Sequence, residues 1–425
     1  MKTEIKVATT VAAMMVTALI SQDAFAKTLE DVLKEKGVIT EADYKEVTRS
    51  KPVNYKIGSG FTFTSPDDKF QLSLGGRIQT RYTFTNLEDN SKATDSSKWA
   101  NQRMRIWMKG YAYTKDLTYF LNTNFGTTES NKNILDAYLN YRFLDEVQIR
   151  VGQSKIPFGR QWLASSAAQQ FVDRSFVSDA FRPGYDIGAN LHGDIAKGLA
   201  TYDLGTFGGT GWSTPRTTNN NAIAARLTVN PLGKMDYSES DMEKSQKPLL
   251  SVGANYFYDT LQSTFKTASG TTAASTTLET NIINFAGTSG WLGKGLSNFK
   301  TTEEINVNTY GIDAAFKWQG LSATGEYLMG EAKGDKSGTL LKAKGFYAQA
   351  GYFIIPQTLE AAFRYAYLDP NRSKSNDLKV ETQGAVSWYF NKHNLKLQGD
   401  VTNSHDQSKG STDDMIYRLQ ATVIF

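Results

Sequence analysis

The chain has 425 residues, with 35 glycines, 9 prolines, no cysteine and a formal net charge of +4 at neutral pH. The lack of cysteine excludes a disulfide framework, a thiolate metal site and a cysteine-linked lipid anchor. The small positive charge is not gathered into a basic block, so we do not expect nucleic acid as a partner. Plentiful glycine and aromatic residues with scarce proline favour many strands and turns.

The first 26 residues have the features of a secretory signal. An apolar run covers residues 7–20, and Ala24-Phe25-Ala26 matches an A-x-A cleavage site. The run is shorter than the ~20 residues that a membrane-spanning helix needs, so we favour removal over retention as an N-terminal anchor. We therefore predict a signal peptide over 1–26 and a mature chain that begins near Lys27.

Residues 27–55 form a separate short segment before the strands begin. Apolar side chains recur at helical spacing before Gly37, and Thr40 has the character of a helix N-cap. We predict two short periplasmic helices here. A plain structural extension is favoured over a role in assembly or tethering.

From Phe70 to the C-terminus the apolar residues recur with a period of two. Met104, Ile106 and Met108, for example, alternate with Arg103 and Arg105. This alternation is typical of strands with one apolar and one polar face. We predict an all-β fold with strands near 70–85, 101–114, 117–126, 133–143, 146–152, 185–194, 199–207, 221–230, 249–258, 305–318, 321–330, 344–354, 358–368, 378–390, 393–403 and 414–425.

The connections between these sixteen predicted strands alternate between short and long. Short turns on the periplasmic side and longer outer loops are typical of outer-membrane β-barrels. Residues 231–248 are the exception, a long polar connection where a short one is expected. We predict a transmembrane antiparallel barrel over 56–425 in the outer membrane of a Gram-negative bacterium, in contact with lipid and lipopolysaccharide.

The polar face of every strand must then line a water-filled lumen, because a charge facing lipid costs ~2–4 kcal/mol near the midplane. Basic residues outnumber acidic ones on this face. Such a surplus raises the local anion concentration in a low-dielectric pore. Pairing with Asp136 and other acids to rigidify the wall is the alternative. The first two strands carry the densest basic cluster, which consists of Arg77, Arg81, Arg103, Arg105 and Lys109.

The connection over 153–184 has apolar and small residues where an exposed loop would be polar. We predict that it folds inward and narrows the pore, in preference to covering the barrel mouth. Its cations and hydroxyls are candidate anion-binding groups. They are Lys155, Arg160, Ser165, Ser166, Arg174 and Arg182.

Several segments resemble the phosphate-selective porin O and P family: LDAYLNY in the fourth predicted strand, GQSKIPFGR and DRSF in the loop, and RPGYDIGANLHG after it. The resemblance implies a sixteen-stranded barrel, usually a homotrimer, in which anions follow an arginine-rich path to a constriction. By motif position, Ser165, Ser166 and Arg174 would match anion ligands, and Asp136 their acidic partner. Phosphate-selective members place a lysine where this chain has Trp162. A pore for phosphate or polyphosphate, a general anion pore and a pore for uncharged solutes all stay open.

Two other function classes are compatible with a barrel. A hydrolase needs a nucleophile beside a base, and His192, His393 and His405 show no recognisable Ser/His spacing. An adhesin would use the Thr-, Ser- and Ala-rich residues 259–304, which we interpret as a surface loop. We expect no catalytic residues, no cofactor and no metal site.

Overall fold

The structure is a computed structural model that describes residues 33–41, 43, 53–87, 95–127, 133–211, 219–267, 274–278, 290–300, 302–409 and 412–425. The chain divides into two compact units, Met1–Pro52 and Val53–Phe425. The predicted signal peptide lies outside the described residues, as does much of the predicted helical segment. Within the described part, no helix has both the length and the apolar character needed to span a membrane.

A helix start at Thr40 is visible in the first unit. Thr40 Oγ1 accepts a hydrogen bond from Asp43 N at 3.1 Å, and the Asp43 carboxylate accepts one from Thr40 N at 2.9 Å. This reciprocal pattern is that of a capping box, which satisfies backbone donors at the first turn of a helix. Residues 33–35 are helical as well.

The second unit is built almost entirely from antiparallel strands. In chain order they are β1 (Val53–Lys56), β2 (Gly60–Thr64), β3 (Phe70–Asn86), β4 (Ser96–Ala112), β5 (Thr114–Asn124), β6 (Ile134–Leu144), β7 (Val147–Lys155), β8 (Tyr185–Ile195), β9 (Ala200–Phe207), β10 (Ala222–Val229), β11 (Leu249–Thr267), β12 (Ala274–Leu278), β13 (Glu304–Trp318), β14 (Leu321–Gly334), β15 (Leu340–Ile355), β16 (Leu359–Asp369), β17 (Lys379–Asn391), β18 (Leu395–Asp406) and β19 (Thr412–Ile424).

Sixteen of these strands close into a barrel. Strands β3 to β11 pair in sequence order, β11 pairs with β13, β13 to β19 continue in order, and β19 pairs back onto β3. Each corresponds to one predicted strand, so the predicted fold class and strand number are confirmed. The hairpin β1–β2 and strand β12 were not predicted, because five residues or fewer show too little alternation to be recognised.

Side-chain orientation follows the predicted alternation. Ile106 and Met108 face outward and are 47% and 37% exposed, whereas Arg103 faces the lumen and is 6% exposed. The outer surface is apolar along the strands, with Leu139 and Phe143 among its exposed residues. Because lipid solvates such side chains and water does not, this surface is the membrane-facing one.

The inner face is covered unevenly. On β13 to β18 nearly every inward side chain is buried, as Glu326, Arg364 and Asp400 illustrate. On β4 to β9 the periplasmic half keeps inward side chains that are partly or fully exposed. These include Lys109, Phe120, Tyr138, Arg150 and His192. Water-accessible space therefore lies beside β4 to β9, while other parts of the chain fill the lumen beside β10 to β18, hereafter the packed side.

Outer-loop residues contribute to this filling. Trp291 is fully buried, its ring stacks on Phe181 with centroids 6.1 Å apart, and its backbone N–H donates to Ala180 O at 3.3 Å. The interpretation of 259–304 as a surface loop is wrong for the part around Trp291, because Trp291, Leu292 and Phe299 are buried in the hydrophobic cluster that includes residues of the barrel wall. It is also wrong for residues 259–267, which extend β11.

Candidate functional site in the barrel lumen

The long connection after β7 begins at Ile156 and includes two short helices, α1 (Arg160–Leu163) and α2 (Phe176–Phe181). Acids on the barrel wall hold it. Glu326 accepts hydrogen bonds from Arg160 N at 3.0 Å and from Gln161 N, and Asp400 accepts one from Val172 N at 3.1 Å. Hydrogen bonds from buried N–H groups to carboxylates are strong. The wall thereby fixes residues 156–184, hereafter the constriction loop, across the lumen.

Gln170 is a second attachment point of the constriction loop. Its side-chain amide donates to Ser322 Oγ at 2.7 Å and to Glu360 Oε1 at 2.6 Å. Ser387 Oγ donates back to Gln170 O at 3.2 Å. Three separate strands of the wall therefore contact one loop residue, which leaves the loop little freedom on this side of the barrel.

The periplasmic connection 231–248 enters the lumen and meets the constriction loop. The carboxylate of Glu239 accepts hydrogen bonds from Gln161 Nε2 at 2.8 Å and from Gln170 N at 2.9 Å. Glu239 N donates to Ala168 O at 3.0 Å. This role of Glu239 was not predicted from the sequence. The signal was present, because 231–248 alone broke the alternation of short and long connections.

Two of the predicted lumen arginines share an acid of the constriction loop. Asp173 Oδ2 lies 2.6 Å from Arg81 Nη1, and Asp173 Oδ1 lies 2.9 Å from Arg103 Nη2. Burial alone would raise the pKa of Asp173, but the two guanidinium groups outweigh burial and hold that pKa well below its usual range. Asp173 is therefore ionised and offsets part of the basic cluster. It was missed as a site residue, although it begins the DRSF segment.

Arg77 and Arg105 are direct cross-strand partners on the inner face of β3 and β4. Arg77 Nη1 donates to Ser165 Oγ at 3.3 Å, and the neighbouring Ser166 Oγ is buried without a hydrogen-bond partner among the described residues. The structure thus brings Arg77 and the predicted serine pair together. Asp136 lies on β6 and accepts a hydrogen bond from Asn122 Nδ2 at 3.0 Å.

Three cations surround the ring of Trp162. Lys155 Nζ, Arg174 Cζ and Arg182 Cζ lie 4.8, 5.1 and 4.4 Å from its centroid, within the range of cation–π attraction. The indole N–H is buried and has no hydrogen-bond partner among the described residues. Trp162 therefore forms an aromatic centre for the basic groups of the constriction loop.

Two of these cations, Lys155 and Arg174, bind backbone carbonyls at the end of α1. Lys155 Nζ donates to the carbonyls of Trp162, Leu163 and Ala164 at 2.7 to 3.2 Å, and Arg174 Nη2 donates to Ala164 O at 2.9 Å. Burial, with Arg182 and Arg103 nearby, lowers the pKa of Arg174 to about 10, so it stays charged at neutral pH. These groups stabilise the loop backbone as well as adding positive charge.

Two other predicted residues, Arg160 and Lys109, lie apart from this cluster. Arg160 is buried on the packed side, where its guanidinium donates to Ser251 Oγ at 2.9 Å and to Asp236 O at 3.0 Å. Lys109 is exposed on the inner face of β4, nearer the periplasm. Arg182 pairs with Asp179 at 2.8 Å besides contacting the Trp162 ring.

The structure also brings one serine to a histidine. Ser238 Oγ lies 3.0 Å from His393 Nε2, and His393 Nδ1 lies 3.4 Å from Lys396 Nζ. The Ser238 hydroxyl also donates to Ser240 O at 3.2 Å. A catalytic triad of this kind places an acid at Nδ1 of the histidine. The amine of Lys396 occupies that position here.

Comparison with known proteins agrees with this architecture. An uncharacterised protein of Aquifex aeolicus is 27% identical over 460 residues, covering 97% of this chain and 99% of that protein. Porin O of Pseudomonas aeruginosa is 23% identical over 388 residues, covering 86% of this chain and 82% of that protein. An anion-selective porin from Comamonas acidovorans has a similar fold, with a TM-score of 0.54 at 12% identity, covering 84% of this chain and 100% of that one.

The family model described as phosphate-selective porin O and P matches residues 72–424, which is the whole barrel from β3 onward. Together with the closed barrel and its apolar outer surface, the match identifies a channel of the Gram-negative outer membrane. The chain therefore belongs to the phosphate-selective porin O and P family.

Proposed function

We propose that this channel allows passive diffusion of small anions, with phosphate and polyphosphate among the candidate solutes. The observation that carries the proposal is an unequal distribution of lumen charge. On the packed side, the acidic side chains of the inner wall form ion pairs or accept hydrogen bonds from the loops. Basic side chains are concentrated where the constriction loop faces β3, β4 and β6.

The packed side is close to electrically balanced. Asp313 pairs with Arg226 at 2.7 Å, and Asp400 pairs with Arg418 at 2.6 Å. Glu326 is occupied by the N–H groups that begin α1. A paired or hydrogen-bonded carboxylate projects little field into a distant water path. These acids therefore do little to attract cations.

The constriction has a surplus of positive charge. Arg77 lies within electrostatic range of Arg103, Arg105 and Arg174. Lys155 interacts in the same way with Arg105, Arg174 and Arg182, and with Asp136 as the opposing acid. Low-dielectric walls focus such a field, which favours anions over cations in the narrow region.

Trp162 supports a general anion pore over one with high phosphate affinity. Tight binding of a phosphate needs several donors that are not already in use. Lys155 and Arg174 donate to loop carbonyls, and an indole stands where the resemblance implies a lysine. We therefore expect phosphate to pass without strong retention.

The other parts of the proposal follow from membership of the family and from the outer surface. We propose a homotrimer whose barrels contact lipid and lipopolysaccharide through their apolar bands. His393 Nδ1 faces the amine of Lys396 and not the acid that a catalytic triad needs, which favours a channel over an enzyme. Burial of Trp291 removes part of the surface that an adhesin would use.

Reversal potentials in planar bilayers test the proposal. With a KCl gradient across the membrane, the purified protein should give a potential of the sign for chloride preference. A potential of the sign for potassium preference would refute it, and so would a folded protein that forms no ion-permeable pore. Added phosphate should reduce the chloride current only weakly, whereas strong block would establish a phosphate-specific site instead.

A further inference from the structure

We propose that the periplasmic half of the pore, below the constriction, binds organic anions that carry an aromatic ring. The inference rests on the proposed anion channel and names its class of solute. The site is a stripe of side chains on the inner face of β4 to β7, which we call the aromatic–basic stripe. It consists of Trp107, Lys109, Phe120, Tyr138 and Arg150.

The strand register brings these side chains together. Lys109 on β4 is the cross-strand partner of Phe120 on β5, and Phe120 is the partner of Tyr138 on β6. The rings of Phe120 and Tyr138 have centroids 5.6 Å apart. The guanidinium carbon of Arg150 on β7 lies 4.9 Å from the Tyr138 centroid. Two rings are therefore flanked by one cation on each side.

Trp107 extends the stripe toward the constriction. It is the register partner of Gly75 on β3, and a Cβ added at Gly75 would meet the indole atoms at 2.7 Å. The indole therefore lies against the backbone of β3, in space that only glycine leaves open. Asn122, its partner on β5, hydrogen-bonds Asp136 at the constriction. The stripe thus begins directly below the narrow region.

Exposure separates these rings from the other aromatic residues of the inner face. Phe257 and Tyr347 face the lumen on the packed side and are 0% and 1% exposed, because other side chains cover them. Phe120, Tyr138 and Trp107 are all partly exposed, and Lys109 is exposed. Packing alone does not account for apolar rings left open to a water path.

The chemistry of the stripe selects one kind of solute. An aromatic carboxylate can stack its ring against Phe120 or Tyr138 while Lys109 or Arg150 binds its carboxylate. Chloride, acetate and phosphate have no ring and gain only the charge contact. A ring–ring contact corresponds to roughly threefold to tenfold in affinity. Aromatic anions should therefore be retained more strongly than aliphatic ones of equal charge.

Benzoate and acetate are the probes that separate these contributions. With chloride as the current carrier, benzoate should reduce the single-channel current of the full-length protein at a half-blocking concentration about threefold to tenfold below that of acetate. Equal half-blocking concentrations would overturn the proposal, even without a variant. Stronger block by acetate would do the same.

The double variant Phe120→Leu with Tyr138→Leu keeps apolar bulk but removes both rings. Its preference for benzoate over acetate should fall to near one, while Tyr138→Phe, the matched control, should keep the preference of the wild type. Lys109→Gln should weaken block by both anions. A double variant that retains the benzoate preference would overturn the assignment of these rings.

The two proposals fail in different ways. Loss of the anion-channel proposal would appear as a potassium-preferring reversal potential. If only the aromatic-anion proposal is wrong, the reversal potential will show chloride preference, and benzoate and acetate will have equal half-blocking concentrations. Both the reversal potential and the anion block can be measured on the wild-type protein.

Discussion

Arg77 and Arg105 stand directly opposite each other across the β3–β4 pair, on the face that lines the lumen. Like charges at directly opposed positions destabilise a sheet. Arg77 is also nearly buried, at 5% exposure, with its guanidinium on Ser165 Oγ of the constriction loop. Such an arrangement lowers the stability of the fold, and the proposed attraction of anions to the narrow region would give a reason for it.

Removing the acid between two other arginines should strengthen the preference for anions. Asp173→Asn leaves Arg81 and Arg103 without their shared carboxylate. We expect a higher chloride-to-potassium permeability ratio and a lower midpoint of urea unfolding, since breaking a buried ion pair costs about 3–5 kcal/mol. Asp179→Asn is the control, because its pair with Arg182 is more exposed. Equal effects of the two variants would contradict this assignment.

Replacing the aromatic centre of the constriction should change the response to phosphate. Trp162→Lys adds a donor beside Lys155, Arg174 and Arg182, in the position where the family resemblance implies a lysine. Phosphate should then block the chloride current at a concentration about tenfold lower than in the wild type, which corresponds to about 1.4 kcal/mol. Trp162→Phe retains a ring and should leave phosphate block unchanged. If phosphate blocks Trp162→Lys and the wild type at the same concentration, Trp162 does not determine which anions bind.

The inward periplasmic connection should stabilise the constriction loop. Glu239→Ala leaves the donors of Gln161 and Gln170 without their acceptor, at about 1–3 kcal/mol for each buried group. Single-channel current should become noisier, and the midpoint of urea unfolding should fall. Glu243→Ala, in the same connection, removes only an exposed pair with Lys392 and should change neither quantity. If Glu239→Ala and Glu243→Ala show the same current noise and the same unfolding midpoint, Glu239 does not stabilise the constriction loop.

Acid should weaken the barrel through His393. Burial, with Lys396 and Lys317 nearby, holds the pKa of His393 well below its ordinary value of 6.5, and Ser238 and Tyr389 complete its surroundings. Between the folded and unfolded pKa values, His393 is therefore protonated in the unfolded chain but neutral in the folded chain. Stability is full above the unfolded pKa of about 6.5 and is lost as the pH falls toward the lower folded value.

The midpoint of urea unfolding, measured in detergent from about pH 8 to pH 5, checks this sign. The wild type should lose stability over that range, and His393→Gln should lose less. If the two proteins show the same pH dependence, His393 does not contribute to it.

The strands could be predicted because the environment imposes their pattern. Lipid on one side and water on the other require alternating side chains, so the strand predicted near 358–368 is found at Leu359–Asp369. The start of β4 was placed at residue 101 instead of Ser96, since the residues at 96–100 do not alternate clearly. Boundaries are least defined where strands leave the membrane.

The contacts inside the lumen were harder to predict, because they join residues far apart in the chain. Asp173 meets Arg81 and Arg103, and no local pattern relates these positions. The same is true of Glu239 and the constriction loop. The sequence indicated that both connections were unusual, in composition or in length. It did not indicate which acids would offset which bases.

The central claim is that cations on the accessible side of the lumen, and not the total charge of the protein, set ion preference. The zero-current potential in a KCl gradient tests it with two variants that lose equal charge. Arg105→Gln with Lys109→Gln changes the inner wall beside the water path, and Arg372→Gln with Lys374→Gln changes an exposed outer loop. We predict that the first variant shifts the potential toward that of a non-selective pore and that the second retains the wild-type value. Equal shifts in both variants, or no shift in the first, would contradict the account.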